Sequence, residues 1–248
     1  MSPFIAFALL VTVLITSFIS GIFGMAGGLI LMAALTALLP VATAMVVHGA
    51  VQMVSNGYRA ILWRKYVDWK IFRRYAMGSV AAILLLFAVS WRPEATAVYL
   101  LLAVAAFTVW IPKNWIDIDV QRRGQAETAG FLLQMMNTLA GVTGPLLDIF
   151  FARTVMDRRA VVATKAVTQV FAHLVKVAFW GSALWSAETL NSLPPAWFFI
   201  AAVPLSMLGT TLGGKLLEKM TDIDFRRWMR LLVTAVGVFM LSRAAGWL

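Results

Sequence analysis

The sequence predicts an all-α polytopic membrane protein made of two inverted repeats, each a re-entrant or broken helix hairpin plus three transmembrane helices. Three observations carry that expectation. The first is composition: of 248 residues, 61% are hydrophobic and only 13% are charged. Mean hydropathy is +0.85. A soluble domain is about 45–50% apolar and about 25% charged, so little of this chain can face water. The second is a series of long apolar segments separated by short loops in which the basic residues collect. The third is a pair of glycine-rich interruptions, one in each half, 117 residues apart.

The apolar segments run over about 3–39, 41–63, 71–91, 95–112, 128–152, 160–187, 194–217 and 228–247. Most are close to the roughly 20 residues that cross a hydrocarbon core. The first is too long for a single crossing: as one helix it would extend about 54 Å against a core of about 30 Å. It also contains Gly21-Ile22-Phe23-Gly24-Met25-Ala26-Gly27-Gly28, a poor helix interior. The fifth has a comparable break at Ala140-Gly141-Val142-Thr143-Gly144-Pro145, where proline removes a donor and suits a new first turn. Each of these two segments is expected to be two helical pieces joined by glycine-rich backbone.

Loop charge assigns sides. Arg64, Lys65, Lys70, Arg73 and Arg74 place loop 64–74 in the cytoplasm. Lys113, Arg122 and Arg123 place 113–127 there, and Arg153, Arg158 and Arg159 place 153–159 there. The fifth segment therefore starts and ends on one face and is expected to be a hairpin. The stretch 184–194 has no lysine or arginine and should lie outside, while Lys215, Lys219, Arg226, Arg227 and Arg230 mark another inside loop. The C-terminus then emerges outside despite Arg243.

The offset of 117 aligns Gly24 with Gly141, Gly27 with Gly144, Gln52 with Gln169, Arg59 with Lys176 and Trp63 with Trp180. Asn56 falls on His173, and His48 on Lys165. Positive charge alternates between equivalent loops, so the repeats should be inverted across the bilayer. The expected division is a first repeat over 1–112, a cytoplasmic linker over 113–127 and a second repeat over 128–248. Inverted repeats with broken helices near the midplane are a transporter architecture.

Several classes are disfavoured. With no cysteine and two histidines, a metal centre is not expected. The net charge of +10 sits in loops between apolar segments, so lipid rather than nucleic acid is the expected partner. There is no Walker A motif, no His-Glu-x-x-His, no Gly-x-Ser-x-Gly and no pair of intramembrane aspartates. Catalytic residues and cofactors are not expected, and an intramembrane enzyme is disfavoured.

The run Gly21 to Gly28, followed by the helix bearing Gln52 and Asn56, resembles the first repeat of the TauE/SafE sulfite-exporter family. Ala140 to Pro145, followed by Lys165 to Trp180, is similar to its second repeat. Met25 and Ala26 stand where the more glycine-rich form has glycines. The resemblance spans nearly the whole chain. It implies a secondary permease for small sulfur-containing anions such as sulfite or organosulfonates, in a bacterial cytoplasmic membrane. The alternatives are an anion channel and a carrier of another small organic anion.

An anion in hydrocarbon needs donors in place of water. Glycine backbone at helix starts offers free N–H groups, which points to Gly24, Gly27, Gly28, Gly141, Thr143 and Gly144. Gln52 and Asn56 are one helical turn apart, and Gln169 and His173 repeat that spacing. Polar groups in lipid turn inward, so this quartet is the expected substrate contact. Lys165 is expected to attract the anion or to pair with Asp148. Asp148 and His48 are candidates for gating or for coupling to a proton. Arg59 and Lys176 are expected to snorkel to the surface. Cysteines introduced at 68 and 222 should react with an impermeant maleimide only from the cytoplasmic side, and one at 190 only from outside; labelling of 190 from the cytoplasm would contradict the inverted topology.

Overall fold

A computed structural model describes residues 3–23, 26–112, 117–151, 153–184 and 193–247. Within these residues the chain is helical. The order is α1 (Pro3–Phe23), α2 (Ala26–Leu38), α3 (Val41–Leu62), α4 (Trp69–Val89), α5 (Ala95–Phe107), α6 (Gln125–Ala140), α7 (Gly144–Phe150), α8 (Arg158–Ala183), α9 (Ala196–Leu217) and α10 (Asp222–Ala244). Short 3₁₀ turns at Arg64–Tyr66 and Thr108–Trp110 follow α3 and α5. Four helices are long and apolar enough to span a membrane: Phe4–Phe23, Trp69–Val89, Arg158–Ala183 and Ala196–Leu217.

The helix boundaries follow from local chemistry. Asp68 caps α4 by accepting from the Lys70 and Ile71 amides, Asp157 caps α8 through Arg159, and Thr221 caps α10 through Asp224. Helices α3 and α9 instead follow Pro40 and Pro195, and lack a side-chain cap. The second glycine-rich break is now concrete. Helix α6 ends where Gly141 takes φ +86°, a left-handed conformation that halts a helix and that a Cβ would strain. Helix α7 then restarts at Gly144 with a proline in its first turn. Helix α2 folds back on α1, with Gly27 against Thr16 and Ser20; Gly24 lies outside the described residues.

Four helix pairs organise the bundle: α1 with α9, α4 with α6, α3 with α8, and α5 with α10. Their directions can be read from matched contacts. Leu14 and Phe18 of α1 meet Gly209 of α9, and Gly21 meets Gly213, so α1 and α9 run the same way. Arg74 pairs with Glu127 at 2.8 Å, and Ser79 donates to the Gly130 carbonyl at 3.2 Å, so α4 and α6 also run the same way. By contrast Gly49 packs on Val177 and Gly57 on Val170, which makes α3 and α8 antiparallel. Arg243 reaches Tyr99, while Trp110 reaches Thr234, which makes α5 and α10 antiparallel.

Small residues permit the close approaches. A Cβ on Gly78 would overlap the Glu127 carbonyl, and one on Gly130 would overlap that of Tyr75. Such backbone proximity is the usual way that helices associate when lipid is as apolar as leucine. The α6–α7 hairpin returns to its own starting level. The Val120 amide, just before α6, donates to the Phe150 carbonyl at the end of α7, at 3.1 Å. Asp117 closes that end by bridging Arg122 at 2.8 Å and Arg153 at 3.1 Å. The guanidinium of Arg122, supported by Arg153, holds the Asp117 carboxyl below the usual carboxylate range.

Apolar side chains cover the outside of the bundle as well as filling its core. Leu84, Val104, Ile200 and Leu208 are exposed, whereas His48, Gln52, Asn56, Gln134, Asn137, Gln169, His173 and Lys176 are buried. An apolar exterior, with the polar side chains of the spanning helices turned inward, is what a hydrocarbon solvent selects.

Candidate functional site

The inward faces of α3 and α8 carry a polar stripe. On α3 it comprises His48, Gln52, Ser55, Asn56 and Arg59; on α8 it comprises Gln169, His173 and Lys176. The spacings of 3, 4 and 7 residues put each set on one helical face. Helices α3 and α8 pack against each other antiparallel, and the two stripes share one space.

That space is a small pocket, with about 270 Å³ of empty volume when the open space at its mouth is counted. Helices α1 and α2 contribute Ser20 and Gly28. The second break contributes Val142, Thr143 and Gly144. The stripes contribute His48, Gln52, Asn56, Arg59, Gln169 and His173. Among the described residues, no carboxylate lines it.

Hydrogen bonds orient the lining. Asn56 donates to the Gln52 carbonyl at 2.9 Å and to Gln52 Oε1 at 3.4 Å. Gln169 Nε2 donates to Thr143 Oγ1 at 3.4 Å. Arg59 Nη2 donates to Ser20 Oγ at 2.9 Å and to Ser55 Oγ at 3.3 Å, while Ser55 meets Thr210 at 3.1 Å. His48 and His173 stack edge to face with centroids 5.4 Å apart. Arg59 Nε and His173 Nδ1 are both buried with no hydrogen-bond partner in the protein. An oxyanion entering the cavity would bring acceptors to such donors.

Behind the lining lies a continuous chain. His48 Nε2 is 2.9 Å from the Gly28 carbonyl, His48 Nδ1 is 2.7 Å from Lys176 Nζ, and Lys176 donates to the Gly141 carbonyl at 2.9 Å. It runs from the start of α2, beside the first break, to the second break.

The structure brings eight of the sequence-derived candidates together around the cavity: Gly28, His48, Gln52, Asn56, Thr143, Gly144, Gln169 and His173. Gly141 sits behind it, its carbonyl held by Lys176. Gly27 is in α2, but a Cβ there would strike the Thr16 carbonyl and Ser20, so its Cα faces α1 rather than the cavity. Lys165 and Asp148 form an ion pair with each other and do not line the cavity.

Arg59 and Lys176 correct an expectation. Neither snorkels to the surface: Arg59 lines the cavity, and Lys176 is 0% exposed. The reason is the stripe itself. Arg59 follows Asn56 by three residues, and Lys176 follows His173 by three, so both continue an inward-facing row. Extending the Gln52–Asn56 and Gln169–His173 pairs by one more turn would have found them. Ser20 and Val142 carried no such signal, because their place depends on how the broken segments fold back.

Compared with known families, residues 9–240 match the one described as Sulfite exporter TauE/SafE. The chain belongs to that sulfite exporter family. No curated protein and no solved structure matches it. TauE/SafE proteins are membrane transporters rather than enzymes, and the family implies a small anion as substrate. In this TauE/SafE chain the cavity is the place where buried donors of both halves converge.

Two adjacent glycines separate packing from function. Gly27→Ala places a methyl against the backbone of α1 and should lower stability by about 1–3 kcal/mol, measured as a fall in melting temperature in detergent. Gly28→Ala meets the end of the Gln52 side chain, 2.7 Å from the Cβ position. It should leave stability within about 1 kcal/mol and weaken anion binding about tenfold by displacing that amide. Equal melting losses for the two variants, with no effect of Gly28→Ala on binding, would contradict this assignment.

Proposed function

We propose that this chain is a secondary carrier of small sulfur oxyanions, sulfite or an organosulfonate, which it binds in the cavity between α3 and α8. The observation that carries this reading is the lining. A guanidinium, two imidazoles and three side-chain amides converge there, and no carboxylate does. Charge-assisted donors that are already desolvated replace the hydration shell of an anion most effectively. Donors grouped in this way suit an inorganic oxyanion or the sulfonate end of a short organic one. Gly28 and Gly144 both line the site with no side chain to hold an anion off the backbone.

The halves 1–112 and 128–248 act as inverted repeats joined by 113–127. The helix directions support this. Exchanging α1 with α6 and α4 with α9 converts the α1–α9 pair into the α6–α4 pair. The α3–α8 and α5–α10 pairs each join equivalent helices, and both are antiparallel. Equivalent helices thus point in opposite directions, and each broken segment is a re-entrant hairpin whose turn reaches the cavity. Rocking of one repeat against the other would expose the cavity to each side in turn.

In a bacterial cytoplasmic membrane, an interior-negative potential favours outward anion movement by about 2.3 kcal/mol per charge per 100 mV. Efflux through such a site proceeds without a coupling ion; uptake needs one, with a proton as the candidate and His48 and Asp148 as its proposed carriers. Engagement of Asp148 by Lys165 favours His48.

The test is sulfite flux in proteoliposomes under imposed voltage and pH gradients, with organosulfonates and carboxylates as competitors. Flux should saturate, follow the potential and be inhibited by sulfur anions. Gln52→Ala combined with Gln169→Ala should raise the half-saturating concentration at least tenfold with the protein still folded. Unchanged flux in that double variant would remove the site, and flux that never saturates would favour a channel.

A further inference from the structure

Lys176 is an anomaly that the proposed site does not use. It is 0% exposed at mid-helix in α8, yet it belongs to none of the four ion pairs among the described residues. Its partners are the Gly141 carbonyl and His48 Nδ1. The groups facing it are therefore His48 from α3, His173 from its own helix and a peptide carbonyl from the second break. The nearby carboxylate of that hairpin, Asp148, is taken by Lys165. A buried ammonium without a counter-ion is expensive, and nature retains such a charge where something else compensates it.

The hydrogen bonds define how Lys176 communicates with the cavity. The Gly28 carbonyl can only accept, so His48 Nε2 carries the proton. Nδ1 of the neutral ring then accepts from Lys176, as its 2.7 Å separation allows. One imidazole thus stands between the ammonium and the cavity that this imidazole lines. Arg59 enters the same cavity directly from the other end of the α3 stripe. Arg59 and Lys176 bracket a space that has no lining carboxylate among the described residues.

We propose that Lys176 is a specificity-determining residue: protonated when the anion is bound, it supplies a second positive charge to the anion site through His48 and tunes the site to a doubly charged oxyanion. This rests on the cavity being the anion site. Because a Coulomb interaction scales with the charge of the ligand, loss of Lys176 weakens a dianion about twice as much, in free energy, as a monoanion of the same shape. A residue that merely braced the two breaks would weaken both alike.

The test uses a matched pair of probes, sulfate and methanesulfonate, which present similar sulfonyl oxygens but differ by one charge. Binding is measured by calorimetry on the full chain in detergent, at a pH where sulfate is fully ionised. The native protein should bind sulfate at least tenfold more tightly than methanesulfonate. Lys176→Gln keeps a donor for Gly141 and removes the charge; it should erase at least tenfold of that preference, and Lys176→Met should do the same. Lys176→Arg should keep the preference. Equal losses for both anions in Lys176→Gln would overturn the proposal and leave Lys176 as a brace. Should the variants fail to fold, a native protein that binds methanesulfonate as well as sulfate overturns it as well. If the native protein binds neither anion, while Gln52→Ala with Gln169→Ala leaves flux intact, the cavity is not the site and this inference falls with it.

Discussion

Backbone that stops being helical inside hydrocarbon must find its hydrogen-bond partners within the protein, because no water is there to supply them. That requirement is visible at the second helix break. Gly141 turns the backbone left-handed, and its carbonyl is taken up by Lys176. Lys176 also meets His48, which reaches across to the Gly28 carbonyl in the first turn of α2. These contacts link the second break to the start of α2 across α3 and α8, which are each other's principal neighbours.

The cavity is a consequence of this arrangement. Once α3 and α8 must turn polar faces inward to serve the breaks, the rest of each stripe follows at helical spacing: Gln52, Asn56 and Arg59 on one, Gln169 and His173 on the other. Most of these groups satisfy one another or a nearby hydroxyl. Arg59 Nε and His173 Nδ1 do not. Among the described residues the lining is rich in donors and holds no carboxylate, which agrees with membership of the sulfite exporter family. The outward-facing leucines, valines and isoleucines meanwhile make the bilayer the only suitable solvent for the remainder.

Much of this could be read from residue order, for identifiable reasons. The break at Gly141 was visible because glycine and proline act locally, through φ and a missing donor. The polar pairs were visible because helical periodicity is a property of the chain alone. What stayed hidden depends on tertiary placement. Gly27 and Gly28 are adjacent and chemically identical, yet one packs on α1 and the other opens onto Gln52. Ser20 joins the site only because α1 and α2 fold back on each other. Arg59 and Lys176 line up inward rather than snorkelling because the helical face on which they stand, and not the reach of a long side chain, decides where they point.

The central claim is that this cavity holds the anion, and it is tested most directly by locating one. Crystals of the full chain soaked with selenate, measured at the selenium absorption edge, would reveal a bound oxyanion by its anomalous scattering, with the methionines left as ordinary sulfur. The account predicts a single strong peak within hydrogen-bonding reach of Arg59, Gln52 and His173. A peak confined to the basic loops at 64–74 or 215–230, with none between α3 and α8, would contradict it.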